Sequence, residues 1–436
     1  MTTLAHADRP HDAARPLCDR RDRPLSEPSA LLFVVLALMT FGVLMVYSAS
    51  RTACDAGDSY YFIRHLVFVP AALGAFAAGA FLPYRLLNGR GVAWTVLATA
   101  VVLLGLVLVL GVERNGARRW FVLGLGGLNL SFQPSEFAKL ALVLFLAWLF
   151  ARPEADPRSL RRGFAPAILA IGLVCGLIAK EDFGTGALIG FVAAALCLVA
   201  GWRWWYALIL TVPGAVGFYF TVLQVPFRLE RLRVWLDPWK YFDGAGWHIC
   251  QSLMGIGCGG LFGVGLGAGI QKLYIPENTT DFIFAVICEE MGLLGGLLVI
   301  GLFGAFIWRA GRIVRAAPDR FAFLLSSGIL LTIGLQAAMN ISVVTGALPA
   351  KGIGLPFISY GGSGLVMMGL AVGLLASVAR RSGAAEAPAR APQPLVYRPV
   401  PMTRAPCVSA GVSAPVSDER AAPSPVDDVK EPVTDA

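Results

Sequence analysis

The sequence predicts an all-α, polytopic membrane protein of ten transmembrane helices, and three observations carry that reading. Of 436 residues, 56% are hydrophobic and only 15% are charged, whereas a soluble domain carries about 25% charged residues. The mean hydropathy is +0.68, and so much apolar surface cannot be enclosed, because even a large domain leaves much of its surface to water. Apolar runs also recur at the length of about 20 residues that a helix needs to cross a bilayer core of about 30 Å. A soluble enzyme, a disordered chain and a secreted disulfide scaffold are thereby excluded. The eight cysteines are scattered without CxxC pairs or zinc-ligand spacing, and only four histidines are present, so the thiols read as buried or incidental. The net charge of +8 does not call for nucleic acid as a partner. In a membrane protein the question is where the cations sit.

The elements follow in order. A polar arm, 1–28, contains Arg20, Arg21 and Arg23. Ten apolar runs come next, at 29–50, 64–83, 92–112, 136–151, 164–180, 185–202, 205–225, 282–308, 321–342 and 363–379. The first is too long for a signal-peptide core and lacks a persuasive cleavage site, so it reads as a retained span. The membrane part thus covers 29–380. The remainder, 381–436, is rich in Ala, Pro, Val and Ser and reads as a disordered tail without a core. Arg85, Arg90, Arg152, Arg158, Arg161, Arg162, Arg203, Arg309, Arg312, Arg315 and Arg320 fall with the two ends on one side of a ten-span alternation. The positive-inside rule makes that side the cytoplasm, with both termini there.

Cations that break this rule are the informative ones. Arg114, Arg118, Arg119, Arg228, Arg231, Arg233, Lys240, Lys272 and Lys351 lie in the outward loops. Either some spans are misassigned, or an outward surface attracts an anion such as a phosphate-bearing lipid, a role that suits the bidentate fork of Arg. The longest such loop, 226–281, holds Trp235, Trp239, Trp247 and two glycine-rich stretches. A loop this long is functional or disordered, and its aromatics favour amphipathic half-helices at the interface.

Several acids could carry chemistry. Asp281 sits at the outer mouth of the run 282–308, either as a helix cap or first-turn acid, with Thr280 as an alternative cap, or as a general base or cation ligand facing a cavity. Glu289 and Glu290 lie within that apolar run, where ionisable groups face the bundle interior and find a partner. Glu136 and Lys139, three residues apart, share a helix face, and Lys180, Glu181 and Asp182 form a third cluster. The segment 348–364 is rich in glycine and suits either an anion-binding concavity or a re-entrant turn.

The ordered set Asn115 to Trp120, Phe132 to Lys139, Asp182 to Thr185, Pro276 to Glu290 and Lys351 to Ser363 resembles the SEDS family (shape, elongation, division and sporulation), over roughly 30–380. The resemblance implies a ten-span fold and a peptidoglycan glycosyltransferase that polymerises lipid II at the outer face of the cytoplasmic membrane. It is most similar to the division-type branch, which acts at the septum; the elongation-type branch is the alternative. The resemblance puts the essential acid on Asp281. The substrate-binding candidates are Arg118, Arg119, Glu136, Lys139, Asp182, Arg231, Lys272, Glu290, Lys351, Ser359 and Ser363. Asp281 with substrate phosphates would bind a divalent cation, Mg²⁺ or Mn²⁺. Expected partners are a class B penicillin-binding protein (an FtsI-type transpeptidase), other division proteins and membrane lipid, and no nucleotide is needed because the donor is already activated. Four positions depart from the family pattern: Thr279 for His, Lys180-Glu181 for Gln-Pro, Trp247-His248 for Tyr-Gln and Gly364 for Ser. A lipid II flippase and a non-enzymatic scaffold remain rival classes. A flippase needs binding groups facing both leaflets, and in a scaffold Asp281 would be replaceable.

Overall fold

The structure, a computed structural model, describes residues 27–50, 60–114, 116–125 and 128–386. The arm over 1–26 and the tail from 387 lie outside the described residues. Each of the ten expected runs coincides with a helix: α1 (Glu27–Ser50), α2 (Tyr60–Phe81), α3 (Arg90–Leu110), α4 (Pro134–Ala151), α5 (Ala165–Glu181), α6 (Phe183–Val199), α7 (Trp204–Phe218), α10 (Ile283–Arg315), α11 (Arg320–Val344) and α12 (Gly362–Glu386). Between α7 and α10 lie α8 (Pro226–Leu236) and α9 (Trp247–Cys258), which are the half-helices expected from the aromatic loop. Among the described residues eight helices are long and apolar enough to cross a membrane, α5 together with the π-helical turn Leu160–Phe164 that precedes it. The other two spans are α6, with 17 residues, and α7, which a π-helical turn at Tyr219–Leu223 extends. The chain is a polytopic membrane protein. The helix α12 runs on to Glu386, so the first six residues assigned to the disordered tail are helical.

Local sequence explains the boundaries. Pro134 and Pro226 occupy first turns, where the missing N–H costs nothing. Asp182 and Asp319 cap α6 and α11, accepting from Thr185 N and Ala322 N. From Ala141 to Phe150 every α4 residue is buried. A helix apolar all round belongs at the centre.

Cross-links sort the connections onto two faces. Arg312 pairs with Glu27 at 2.8 Å, Tyr84 donates to Asp319, Tyr206 to the Arg158 carbonyl and Arg320 to the Ala200 carbonyl. All these groups lie on the face expected inside. The opposite face, called outer here, gathers the end of α1, the start of α4, the α5–α6 junction and the start of α10.

The outer face also holds an element the reading lacked, a three-stranded antiparallel sheet of β1 (Val112–Arg114), β2 (Ala117–Leu125) and β3 (Leu128–Phe132). Its sequence signals were Asn115-Gly116 and Gly126-Gly127, dipeptides favoured in tight hairpins.

The loop before α10 is stitched into that helix. Val264 N and Gly265 N donate to the Glu289 and Glu290 carbonyls, while Leu293 N and Leu294 N donate to the Gly260 and Leu261 carbonyls. α10 breaks there at Gly292, with φ 67°. A Cβ at Gly292 would lie 2.4 Å from Gly263 N, so only glycine fits.

Candidate active site

Asp281 sits two residues before α10, whose N-cap position is Phe282 with no side-chain cap. The capping role open from sequence is therefore not the one Asp281 plays. Its backbone is set by a tight turn in which the Glu277 carbonyl accepts the N–H groups of Thr280, Asp281 and Phe282. Glu277 adopts φ 58°, uncommon for a residue with a Cβ. The Asp281 carboxylate takes no hydrogen bond from a described residue and lies against Gly352, where a Cβ would stand 2.9 Å from Oδ2. Burial first, and then the charges of Glu277 and Asp182, push its carboxyl up to about 7, against the opposing pull of Arg119 and Arg231. An acid poised there is about half ionised at neutral pH, and its ionised form is basic enough to take a proton.

Two cations, Arg119 and Arg231, act on this carboxylate. Successive strand residues point to opposite faces, so of the neighbours Arg118 and Arg119 on β2 only one turns toward the site. Arg119 donates to the Glu181 carbonyl and lies 3.6 Å from Asp182 Oδ2. Arg118 turns the other way, to Glu113 at 3.6 Å, and its N–H meets the Glu181 carboxylate. Arg231, on α8, is exposed and stacks on Phe227. Partial desolvation of its guanidinium foremost, with repulsion from Arg119, lowers its pKa, and Asp182 and Asp281 pull the other way. Lys351 lies over the Phe183 ring at 5.3 Å, and burial lowers its pKa against the pull of Asp182. Asp182 holds Thr185 through both carboxylate oxygens.

The remaining candidates lie apart from Asp281 or behind it. Lys272 and Glu290 are 3% and 1% exposed and pair at 2.8 Å. Lys272 also donates to the Ser48 and Gly267 carbonyls, and Ser48 donates to Glu290. Every donor of that ammonium has a protein acceptor, so the placement differs from the phosphate contact expected of Lys272. Glu289 accepts from Ile270 N and Gln271 N. Lys139 is buried too, 2.8 Å from Glu136 and 2.9 Å from Gln336 Oε1. Ser359 donates to the Thr280 carbonyl and accepts from Leu355 N, while Ser363 accepts from Gln133 N. Both serines tie backbone segments together.

A family model described as a cell cycle protein, of the FtsW, RodA and SpoVE type, matches residues 29–383. The chain belongs to the FtsW/RodA/SpoVE family. Stage V sporulation protein E of Bacillus subtilis is 41% identical over 82% of this chain and 98% of its own length. The "Probable peptidoglycan glycosyltransferase FtsW" of Coxiella burnetii is 38% identical, over 80% and 95%. Among solved structures, a peptidoglycan synthase complex that coordinates polymerization and crosslinking contains a chain superposing with TM-score 0.68, at 31% identity over 81% of this chain and 97% of that one. Thermus thermophilus RodA superposes with TM-score 0.60, at 30% identity over 81% and 96%.

Within this FtsW/RodA/SpoVE fold, the positions that depart from the family pattern have structural partners. Thr279 is buried and its carbonyl accepts from Tyr360 N. Glu181 anchors both β2 arginines. His248 stacks on Phe282, 6.3 Å between ring centres. Gly364 leaves room for Glu136, whose Oε2 would lie 3.3 Å from a Cβ there. Two further site residues went unnoticed in the sequence: Gln336 and Asn340, amides four apart within the apolar run of α11. Polar groups at that depth are a signal in themselves.

Proposed function

We propose that this chain is a peptidoglycan glycosyltransferase that polymerises lipid II at the outer face of the cytoplasmic membrane, for septal wall synthesis during division. The observation that carries the reading is the Asp281 carboxylate: uncapped, raised to about 7 and under the pull of Arg119 and Arg231, with Lys351 drawn to the neighbouring Asp182. In the reaction the acceptor sugar hydroxyl attacks the anomeric carbon of the donor. Asp281 takes the hydroxyl proton, the new C–O bond forms, and the bond to the lipid diphosphate breaks. Charge developing on that diphosphate meets Arg119, Arg231 and Lys351, placed before the reaction begins.

Among the described residues no group of three His, Cys, Asp or Glu side chains is arranged to hold a metal ion. The donor set still fits Mg²⁺ or Mn²⁺, which bind through one or two carboxylates completed by substrate phosphates. Asp281 would supply the protein ligand and the cation would neutralise phosphate charge.

Relatives named for FtsW and the similar synthase complex support a division role and a class B penicillin-binding protein of FtsI type as partner, alongside other division proteins. The 41% identity to a sporulation protein and the likeness to RodA favour, as a second reading, the same reaction in another morphogenetic setting. The deciding experiment incubates purified protein with lipid II and Mg²⁺ or Mn²⁺, with and without the transpeptidase, and separates glycan chains by length. Polymer is the expected product; its absence under every condition would leave a flippase or a scaffold. Depletion in the host then separates the two settings. Filaments indicate division, and rounded cells indicate elongation.

A further inference from the structure

Behind Asp281 the face of α11 carries the two buried amides that the sequence reading missed. Asn340, 1% exposed, donates through Nδ2 to the Asp281 carbonyl at 2.8 Å and to the Ile353 carbonyl at 2.7 Å. One turn earlier Gln336, 4% exposed, donates through Nε2 to the Gly354 carbonyl at 3.0 Å. Its Oε1 accepts from Lys139, which Glu136 holds from the other side. Residues four apart share a helix face, so one face of α11 suspends two separate segments. One carries Asp281 and the other follows Lys351 and Gly352.

Both N–H groups of Asn340 are committed, each to a different segment, and its Oδ1 is buried without a partner. Turning the amide over would set that oxygen against two carbonyl oxygens, so the donors alone fix its orientation. Ser359 braces the preceding residue, Thr280, through its hydroxyl. Any slide of one segment past the other strips a buried carbonyl of its donor, at the desolvation cost of an unmade hydrogen bond.

We infer that Asn340, backed by Gln336, is a positioning residue that fixes the Asp281 carboxylate against Gly352. The inference rests on the reading of Asp281 as the base. Asn340 touches no substrate in this role and acts only through the backbone of the two segments. It also assigns Glu136 and Lys139 a place behind the site, orienting Gln336, in place of the substrate contact expected from sequence.

The test uses the full chain with its transpeptidase partner and lipid II, and measures kcat, KM and thermal melting for Asn340→Leu, Gln336→Met and Asp281→Asn. Leucine and methionine keep the branching of Asn and the chain length of Gln while removing the donors. A displacement of about 1 Å costs a positioned reaction as much as 10²-fold. The expected result for Asn340→Leu is therefore a kcat at least about tenfold lower with KM near the parent value, and a lowered melting temperature because two buried carbonyls lose their donor. Gln336→Met, which frees the Gly354 carbonyl and leaves Lys139 to Glu136 alone but touches no bond to Asp281, gives a smaller fall in kcat, again with KM unchanged. Parent-like kcat in folded Asn340→Leu overturns the inference, and so does a raised KM with kcat intact. If Asn340→Leu does not fold, Gln336→Met decides by the same criteria, and failure of both to fold makes the amides structural and also overturns it. Full activity of Asp281→Asn would remove the base itself. An inactive Asp281→Asn beside an active Asn340→Leu would remove the positioning role alone.

Discussion

Two clusters of opposite charge lie on the outer face, and they differ in what is left unmet. In the first, Lys272 and Glu290 are sealed from solvent, and their polar atoms are matched by one another and by Ser48 and Gly267. In the second, the Asp281 carboxylate has the cations Arg119 and Arg231 acting on it and no hydrogen-bond donor, and Arg231 and Lys351 make no salt bridge among the described residues. Both set an acid at or just inside the start of α10 against cations from other segments, and their composition does not tell them apart. What separates them is satisfaction. A buried pair whose hydrogen bonds are complete is a structural fastener, whereas a raised carboxylate under the pull of cations is equipped to take up a proton and an anion.

The most direct way to break this comparison is to neutralise the open acid. Asp281→Asn removes basicity and keeps shape, so polymerisation should fall at least about 10²-fold, with melting close to the parent protein. Near-parental chain synthesis by that variant, measured on the same preparation as its melting, would end the case for Asp281.

The closed cluster should respond in the opposite currency. Removing one partner of a buried pair strands the other and costs about 3–5 kcal/mol. Lys272→Met should therefore lower the melting temperature and the yield, and the surviving folded fraction should polymerise at the parental rate. A stable Lys272→Met with a raised KM for lipid II would return Lys272 to the substrate site.

The sequence made the ten spans legible because hydropathy and arginine alternation report directly on the bilayer. The site was legible only in part. Asp281 announced itself as an acid at a helix mouth, but whether it capped α10 depended on a start two residues later. Lys272 and Arg119 look alike on paper as outward cations. Their difference arises from Ser48 and Glu290 in one case and from Asp182 in the other, contacts between residues far apart in the chain. Gln336 and Asn340 went unread because an amide carries no charge, and only the carbonyls opposite reveal what it does.

Gly352 sharpens the comparison by geometry rather than charge. Its added methyl in Gly352→Ala would stand 2.9 Å from Asp281 Oδ2, inside contact distance. Shifting the carboxylate by a fraction of an ångström should lower kcat by about tenfold, with thermal melting unaffected because Gly352 is exposed. An unchanged kcat would mean that the carboxylate has room to move and that its seat against Gly352 is incidental.

The smallest expected effect is a pH dependence, and it separates activity from stability by sign. The Asp281 carboxyl is raised from its ordinary value to about 7, mainly by burial and further by Glu277 and Asp182. A base works only when deprotonated, so the polymerisation rate should rise with pH through that value and level off, changing by about twofold between pH 7 and pH 8. Stability should run the other way. A carboxyl that binds its proton more tightly when folded favours the folded state at low pH, and that contribution is lost as pH rises through about 7. Melting measured without divalent cation should thus rise slightly from pH 8 to pH 6 while the rate falls, and Asp281→Asn should abolish this part of the melting trend. Parallel movement of rate and melting in the parent would place the titration elsewhere, with His248 the first alternative because it stacks on Phe282 next to Asp281 and shares the charges of Arg231 and Glu277.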